Sequence, residues 1–140
     1  MALIAGAGNP AGSGGTAGVG KGLNYALDRV YAYSGQVNVN NVETNLLLFD
    51  TGSELIDALI QFRYADTGTA EINEDFTWRI YLNDELILSS TSKANTEWFP
   101  EQSAHLIFGA YTQVKITSQN ITDSDARGIA ATVTGRIINA

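Results

Sequence analysis

The chain of 140 residues contains no cysteine. It can therefore form neither a disulfide framework nor a thiolate metal site. A single histidine, His105, excludes metal centres that need several histidines. Its stability must come from packing or from association with other chains.

Basic residues are scarce. Eight Lys and Arg stand against fifteen Asp and Glu, which gives a formal net charge of -7. No Lys or Arg lies between Arg29 and Arg63. The chain thus lacks an obvious surface for a phosphate backbone, and we expect no direct nucleic-acid binding.

Long apolar runs are also absent. The start, Met1-Ala-Leu-Ile-Ala5, lacks the basic flank and the length of a signal peptide. No run approaches the roughly 18 apolar residues of a membrane-spanning helix. We expect a protein that is made in soluble form and has no membrane partner.

Glycine is abundant but unevenly placed, because eight of the fourteen glycines fall within residues 1–22. Such a segment buries too little side chain to offset a backbone entropy cost of about 1–2 kcal/mol per residue. We predict an extended arm over residues 1–22 and one folded domain over residues 23–140. The latter has about 118 residues, enough for a core.

The arm is long compared with the body. Twenty-two extended residues reach about 75 Å, whereas a body with a radius of gyration near 13 Å spans only about 35 Å. Gly and Ala let the backbone lie close to another chain, and the apolar pair Leu3-Ile4 can enter a pocket or add to a sheet edge. We predict that the arm contacts other chains through Leu3, Ile4, Pro10, Val19 and Lys21.

Two stretches of the arm imitate nucleotide-binding loops. The run Gly15-Thr-Ala-Gly-Val-Gly20-Lys21-Gly22 has Gly where a P-loop needs Ser or Thr, and no buried strand precedes it. In Gly6-Ala-Gly8-Asn-Pro10, the proline and later glycines prevent the helix that would hold a pyrophosphate. We therefore predict no cofactor.

The body has the alternating pattern of β-strands. Phe76-Thr-Trp-Arg-Ile-Tyr-Leu82 places four apolar residues on one face, and Asn83-Asp84 predicts a hairpin into residues 85–91. The segment from Ile56 to Tyr64 also alternates, although its first residues would fit a helix; its Phe-Arg-Tyr end favours a strand. Across residues 128–137, Ile129, Ala131, Val133, Gly135 and Ile137 share one face.

About eight strands at intervals of 8–14 residues, with no convincing helix, predict an all-β antiparallel sandwich with jelly-roll or Greek-key connections. The polar, Asn-rich stretch after Gly35 is predicted to be a loop between two strands.

Chemistry-bearing residues form no recognisable active site. Acidic residues cluster at Asp66 to Asp75, at Asp84-Glu85 and at Asp123 and Asp125. Such clusters are typical of a solvated surface, of calcium ligands or of an acid–base pair. None has EF-hand spacing. His105 has no nucleophile motif near it and is predicted to lie at a strand edge or interface. We predict no enzyme and neither catalytic nor metal-binding residues.

The aromatic loop Trp98-Phe99-Pro100 has three interpretations. It can plug one end of the sandwich, anchor a protein partner, or stack on a sugar. We name Trp98 and Phe99 as candidate partner-binding residues.

Several segments of the body resemble small β-sandwich structural proteins of tailed-phage virions, such as capsid decoration or cement proteins. The likeness covers roughly residues 25–138 and rests on four segments: Glu74-Asp-Phe-Thr-Trp-Arg-Ile-Tyr-Leu-Asn-Asp-Glu85, Tyr111-Thr-Gln-Val-Lys-Ile-Thr117, Asn120-Ile-Thr-Asp123 and Thr134-Gly-Arg-Ile137.

The resemblance implies a non-enzymatic virion component, made in the host cytoplasm, that sits on or between capsid subunits. Its implied partners are other virion proteins, the major capsid protein first among them, and copies of itself in a homo-oligomer. The Gly-rich arm departs from a compact decoration protein and leaves a minor capsid protein or a tail component open. The alternative is a jelly-roll carbohydrate- or receptor-binding module of a tail or surface fibre.

Overall fold

The computed structural model describes residues 22–64, 74–92 and 102–138. These residues form ten strands and no helix, which confirms the all-β prediction. The strands are β1 (Asn24–Ala26), β2 (Arg29–Tyr33), β3 (Val37–Val39), β4 (Thr44–Asp50), β5 (Leu55–Tyr64), β6 (Phe76–Leu82), β7 (Glu85–Ser92), β8 (Gln102–Phe108), β9 (Gln113–Asn120) and β10 (Arg127–Ile138).

The strands form two antiparallel sheets that face each other. The four-stranded sheet has the order β4-β9-β6-β7, and the six-stranded sheet has the order β1-β2-β10-β5-β8, with β3 also paired to β10. Four strand pairs are nested in sequence, so that each pair lies between the two strands of the pair before it. From the outermost to the innermost, they are β2-β10, β4-β9, β5-β8 and β6-β7. This nesting is the jelly-roll arrangement.

Strand β5 shows why the alternating pattern was informative. Its inward residues Ile56, Ala58, Ile60, Phe62 and Tyr64 are all buried. The residues between them point to the outer face, because successive side chains of a strand alternate. The strand interpretation of this segment is confirmed.

The hairpin between β6 and β7 is confirmed, and its turn type is now defined. Leu82 pairs with Glu85, so the loop contains only Asn83 and Asp84. Both have positive φ, 52° and 66°. Two left-handed residues in a two-residue loop make a type I′ turn, which matches the twist of the flanking strands.

The stretch after Gly35 differs from its predicted loop, because it contains β3. Val37 and Val39 are buried and Asn38 is exposed between them. All three pair with the start of β10. This strand and β1 bring the number in the described residues to ten instead of about eight.

The core is filled by aromatic residues between the sheets. Trp78 is completely buried, with its ring 5.5 Å from Phe62 and 5.8 Å from Tyr64. Tyr64 in turn meets Phe76 edge to face at 5.6 Å. Offset and tilted ring pairs of this kind stabilise the fold by more than the burial of their apolar area alone. Thr77, which alternates with the inward residues of β6, is buried as well and shares a hydrogen bond with Thr91 at 2.9 Å.

Candidate interaction surfaces

The outer face of the four-stranded sheet carries a polar network around Glu43. The Glu43 carboxylate accepts hydrogen bonds from Tyr81 Oη and Thr117 Oγ1, both at 2.6 Å. Arg79 lies 3.5 Å from the same carboxylate and also donates to Gln119 at 3.0 Å. These groups satisfy one another, so this face is a structural network that links β6 and β9 to the residue before β4.

The network shifts two pKa values in opposite directions. Partial burial would raise the pKa of Glu43, but hydrogen bonds from Thr117 and Tyr81 and the charges of Arg79 and Lys115 hold it below its ordinary value. The hydrogen bond to Glu43 raises the pKa of Tyr81. Glu43 is therefore held as a carboxylate that fixes the hydroxyls around it.

One end of the sandwich brings Glu74 together with Asp123 and Asp125, which are remote from it in sequence. Carboxylate oxygens of Glu74, Asp123 and Asp125 lie within 4.8 Å of one another. Arg127 donates to both oxygens of Glu74, at 2.9 and 3.3 Å, and thus supplies the positive charge of this cluster. Asn120 donates to Asp123 Oδ1 and to the Asp125 carbonyl, which ties the connection from β9 to β10.

The outer face of the six-stranded sheet holds a shallow groove, which we call the tyrosine groove. The register places Tyr31, Thr134, Leu59 and His105 in one row across β2, β10, β5 and β8. Thr134 forms a low floor between these walls. The groove has a volume of about 420 Å³.

The tyrosine groove combines rings with polar groups. The rings of Tyr31 and Tyr33 are 5.2 Å apart, and both side chains are partly exposed. On the opposite wall, His105 Nε2 contacts the Asp57 carboxylate. Partly exposed rings flanked by donors and acceptors can stack on a flat apolar face and orient the hydroxyls around it.

A second surface is the end of the sandwich formed by the turn at residues 27–28 and the loops at residues 51–54 and 109–112, which we call the loop end. Hydrogen bonds hold it together, from Ile137 N to Asp28 O at 2.8 Å and from Tyr111 N to Gly52 O at 2.8 Å. Its tips are apolar, since Leu27 is 97% exposed and Tyr111 is 76% exposed.

Both tips adopt an unfavourable backbone conformation. Leu27 has φ 58° and Tyr111 has φ 52°, in the left-handed region that bulky residues avoid. Such a residue costs about 1–2 kcal/mol, and strain of this kind is concentrated at sites with a function. Both tips therefore combine an exposed apolar side chain with strained backbone.

A depression of about 740 Å³ opens beside Leu27. Its lining combines the apolar side chains of Tyr25, Leu27 and Ile137 with the acidic Asp28 and Glu54. Burial and the nearby charge of Glu54 raise the pKa of Tyr25, so its phenol stays neutral at physiological pH. Asp28 is paired with Arg136 at 3.3 Å and with Arg29 at 3.9 Å. The loop end is thus an apolar surface with a charged rim.

All seven residues predicted to bind partners lie outside the described residues. The arm residues Leu3, Ile4, Pro10, Val19 and Lys21 lie outside the described residues, as do Trp98 and Phe99. The carboxylates of the Asp66 to Asp75 cluster also fall there, except Glu74 and Asp75. His105 lies in the edge strand β8 with its side chain exposed, as predicted for a strand-edge histidine.

Two surface features were missed from the sequence. The tyrosine groove is built from four strands, so no local motif marks it. A sequence signal did exist in the outward alternation of Tyr31 and Tyr33. The left-handed Leu27 had none, because the turn Ala26-Leu27-Asp28 contains neither Gly nor Asn.

No known family model matches the chain, and no curated protein matches its sequence. Similar solved structures share little sequence with it. A pilus protein of Bacillus endospore appendages is 10% identical, covers 83% of this chain and 98% of its own, and has a TM-score of 0.46. The VP2 subviral particle of infectious bursal disease virus is 9% identical and covers 80% of this chain and 38% of its own, with a TM-score of 0.42.

A third similar structure is the insecticidal delta-endotoxin Cry8Ea1 of Bacillus thuringiensis. It is 12% identical over 74% of this chain, with a TM-score of 0.43, and this chain spans about a fifth of its length. Two of the three structures belong to assemblies, a pilus and a viral particle. None of the three is a tailed-phage decoration protein, and at these TM-scores the similarities carry no argument about function. No helix in the described part of the chain is long and apolar enough to cross a bilayer.

Proposed function

We propose that this protein is a non-enzymatic structural component of a virion, of the capsid decoration, cement or minor capsid type. The single observation that carries an interaction role is the loop end, with Leu27 and Tyr111 exposed on left-handed backbone. The virion setting comes from the resemblance of the body to tailed-phage structural proteins. The partners are other virion proteins, with the major capsid protein first, and copies of this chain.

The chemistry of the loop end defines what its partner must offer. Burying one leucine or tyrosine from water contributes about 1.5–3 kcal/mol to association. The rim contains Glu54, and the protein as a whole carries a net charge of -7. A capsid partner should therefore present an apolar pocket whose border carries no excess of acidic residues.

The test is binding of the purified protein to virus shells that lack it. Wild-type protein should co-sediment with the shells and raise the temperature at which they rupture. Leu27→Asp should weaken binding at least about tenfold, because about 1.4 kcal/mol corresponds to that factor. The matched control is Val42→Asp, because Val42 is 63% exposed between β3 and β4 and lies away from the loop end. This variant should bind the shells like the wild type. The proposal fails if wild-type protein neither binds nor stabilises the shells.

The tyrosine groove favours a second candidate function, binding of a carbohydrate. Tyr31 and Tyr33 can stack on a sugar ring while Asp57 and His105 accept or donate to its hydroxyls. A glycan array should then show a defined set of ligands for the wild type. Tyr33→Ala should lose at least about tenfold in affinity, whereas Tyr111→Ala, at the loop end, should retain it. An array without bound glycans would exclude this candidate.

A further inference from the structure

We infer that the depression at the loop end is the docking site for the Gly-rich segment 1–21 of a neighbouring copy of this chain, with Leu3-Ile4 as its anchor. The inference rests on the proposed structural role and names the partner of one surface. It gives the protein a head-to-tail contact, in which the arm of each copy meets the loop end of the next.

The direction of β1 argues for a neighbouring copy. β1 runs from Asn24, which pairs with Tyr31, to Ala26, which pairs with Arg29, and so runs toward the turn at Leu27. The chain that precedes Gly22 is joined to the opposite end of β1. An arm that continues this direction moves away from its own loop end and toward another copy.

Length permits the contact. Twenty-one residues reach at most about 70 Å when extended, and the body is about 35 Å across. The arm can therefore cross the separation between adjacent bodies with residues to spare. Residues 3 and 4 are also far enough from Gly22 to enter the depression of the next copy.

Charge favours this segment over any other part of the chain. All fifteen acidic residues lie after residue 22, and residues 1–20 carry no charged side chain. Two bodies of this acidic protein would repel each other on approach. An uncharged arm meets no such repulsion, and its small residues let the backbone approach the surface closely.

The depression matches the anchor in chemistry. Its apolar lining residues Tyr25, Leu27 and Ile137 are at least partly exposed in the single chain. Within the arm, Leu3 and Ile4 are the two large aliphatic residues that stand next to each other in sequence. Their burial would cover the exposed Leu27 and offset the strain at its backbone. Two copies that exchange arms form a closed dimer, and copies that each pass the arm to the next form rings or filaments.

Engineered cysteines test the contact in the full chain, which has none of its own. Two single variants are mixed and mildly oxidised at the highest soluble concentration. One is Ile4→Cys, which carries a tag that increases its size, and the other is Leu27→Cys, which carries no tag. We expect a mixed disulfide dimer on non-reducing electrophoresis. The matched pair, Ile4→Cys with Val42→Cys, should give at least about tenfold less mixed dimer, since Val42 is also exposed but lies away from the loop end. Equal yields from the two pairs, or no mixed dimer with Leu27→Cys, would overturn the inference.

The double variant Ile4→Cys/Leu27→Cys separates contact between copies from contact within one copy. A ladder of covalent oligomers is expected, whereas a fast-migrating monomer with an internal disulfide would show that the arm folds onto its own body. Shell binding is measured on the same wild-type preparation. Shell binding without the mixed dimer rejects the docking site and keeps the structural role, and the mixed dimer without shell binding rejects the virion role.

Discussion

Replacing Trp78 with alanine should lower the free energy of unfolding by about 3–5 kcal/mol, the range for removing a large buried aromatic. Trp78 is fully buried between the sheets and contacts the rings of Phe62 and Tyr64, which lie in the opposite sheet. Its loss would leave a cavity that two sheets fixed by their hydrogen bonds cannot close. Urea denaturation followed by circular dichroism measures the loss.

Trp78→Phe is the informative comparison. The indole Nε1 of Trp78 is buried and has no hydrogen-bond partner among the described residues. Phenylalanine removes this unsatisfied donor while keeping a ring between the sheets. We expect a clearly smaller loss than for alanine. Equal losses in the two variants would contradict the view that ring packing, and not the indole donor, makes Trp78 important.

Glu74→Gln should cost about 1.5–3 kcal/mol, because it removes the charge of a buried carboxylate that accepts two hydrogen bonds from a guanidinium. Glu74 is 3% exposed and receives two hydrogen bonds from Arg127. The neutral amide keeps one acceptor oxygen but loses the charge and the second acceptor oxygen that face the guanidinium. Equilibrium unfolding in urea at neutral pH gives the difference from the wild type.

Glu85→Gln provides the matched control, since it makes the same chemical change at an exposed position at the start of β7. Exposed substitutions of this kind change stability by about 0.5 kcal/mol or less. If Glu74→Gln and Glu85→Gln have the same small effect, the Glu74–Arg127 pair does not stabilise this end of the sandwich.

The alternating strands were predictable because each has one buried face. In β5 the residues from Ile56 to Tyr64 alternate without interruption, and the core accepts every second one. The turn Asn83-Asp84 was readable as well, since Asn and Asp adopt positive φ more easily than other residues. Three-residue strands carry no such signal. β3 is defined by its pairing with β10, which is remote in sequence.

The candidate surfaces depend on the same remote pairings. Tyr31, Leu59 and His105 face one groove only because β10 lies between β2 and β5 and because β8 pairs with β5 in one register. A shift of one residue would turn each of these side chains to the core. Glu74 and Arg127 are likewise separated by 53 positions. Local pattern predicts which residues face outward, but topology decides which of them meet.

The central position of β10 has a consequence for how the protein is made. This strand pairs with β2, β3 and β5, yet it is the last of the described strands to leave the ribosome. Until residues 127–138 are synthesised, β2 and β5 have open edges and the six-stranded sheet has no centre. Folds dominated by such distant pairings form slowly and are exposed to aggregation while incomplete. An interrupted chain would thus be left to chaperones and proteases.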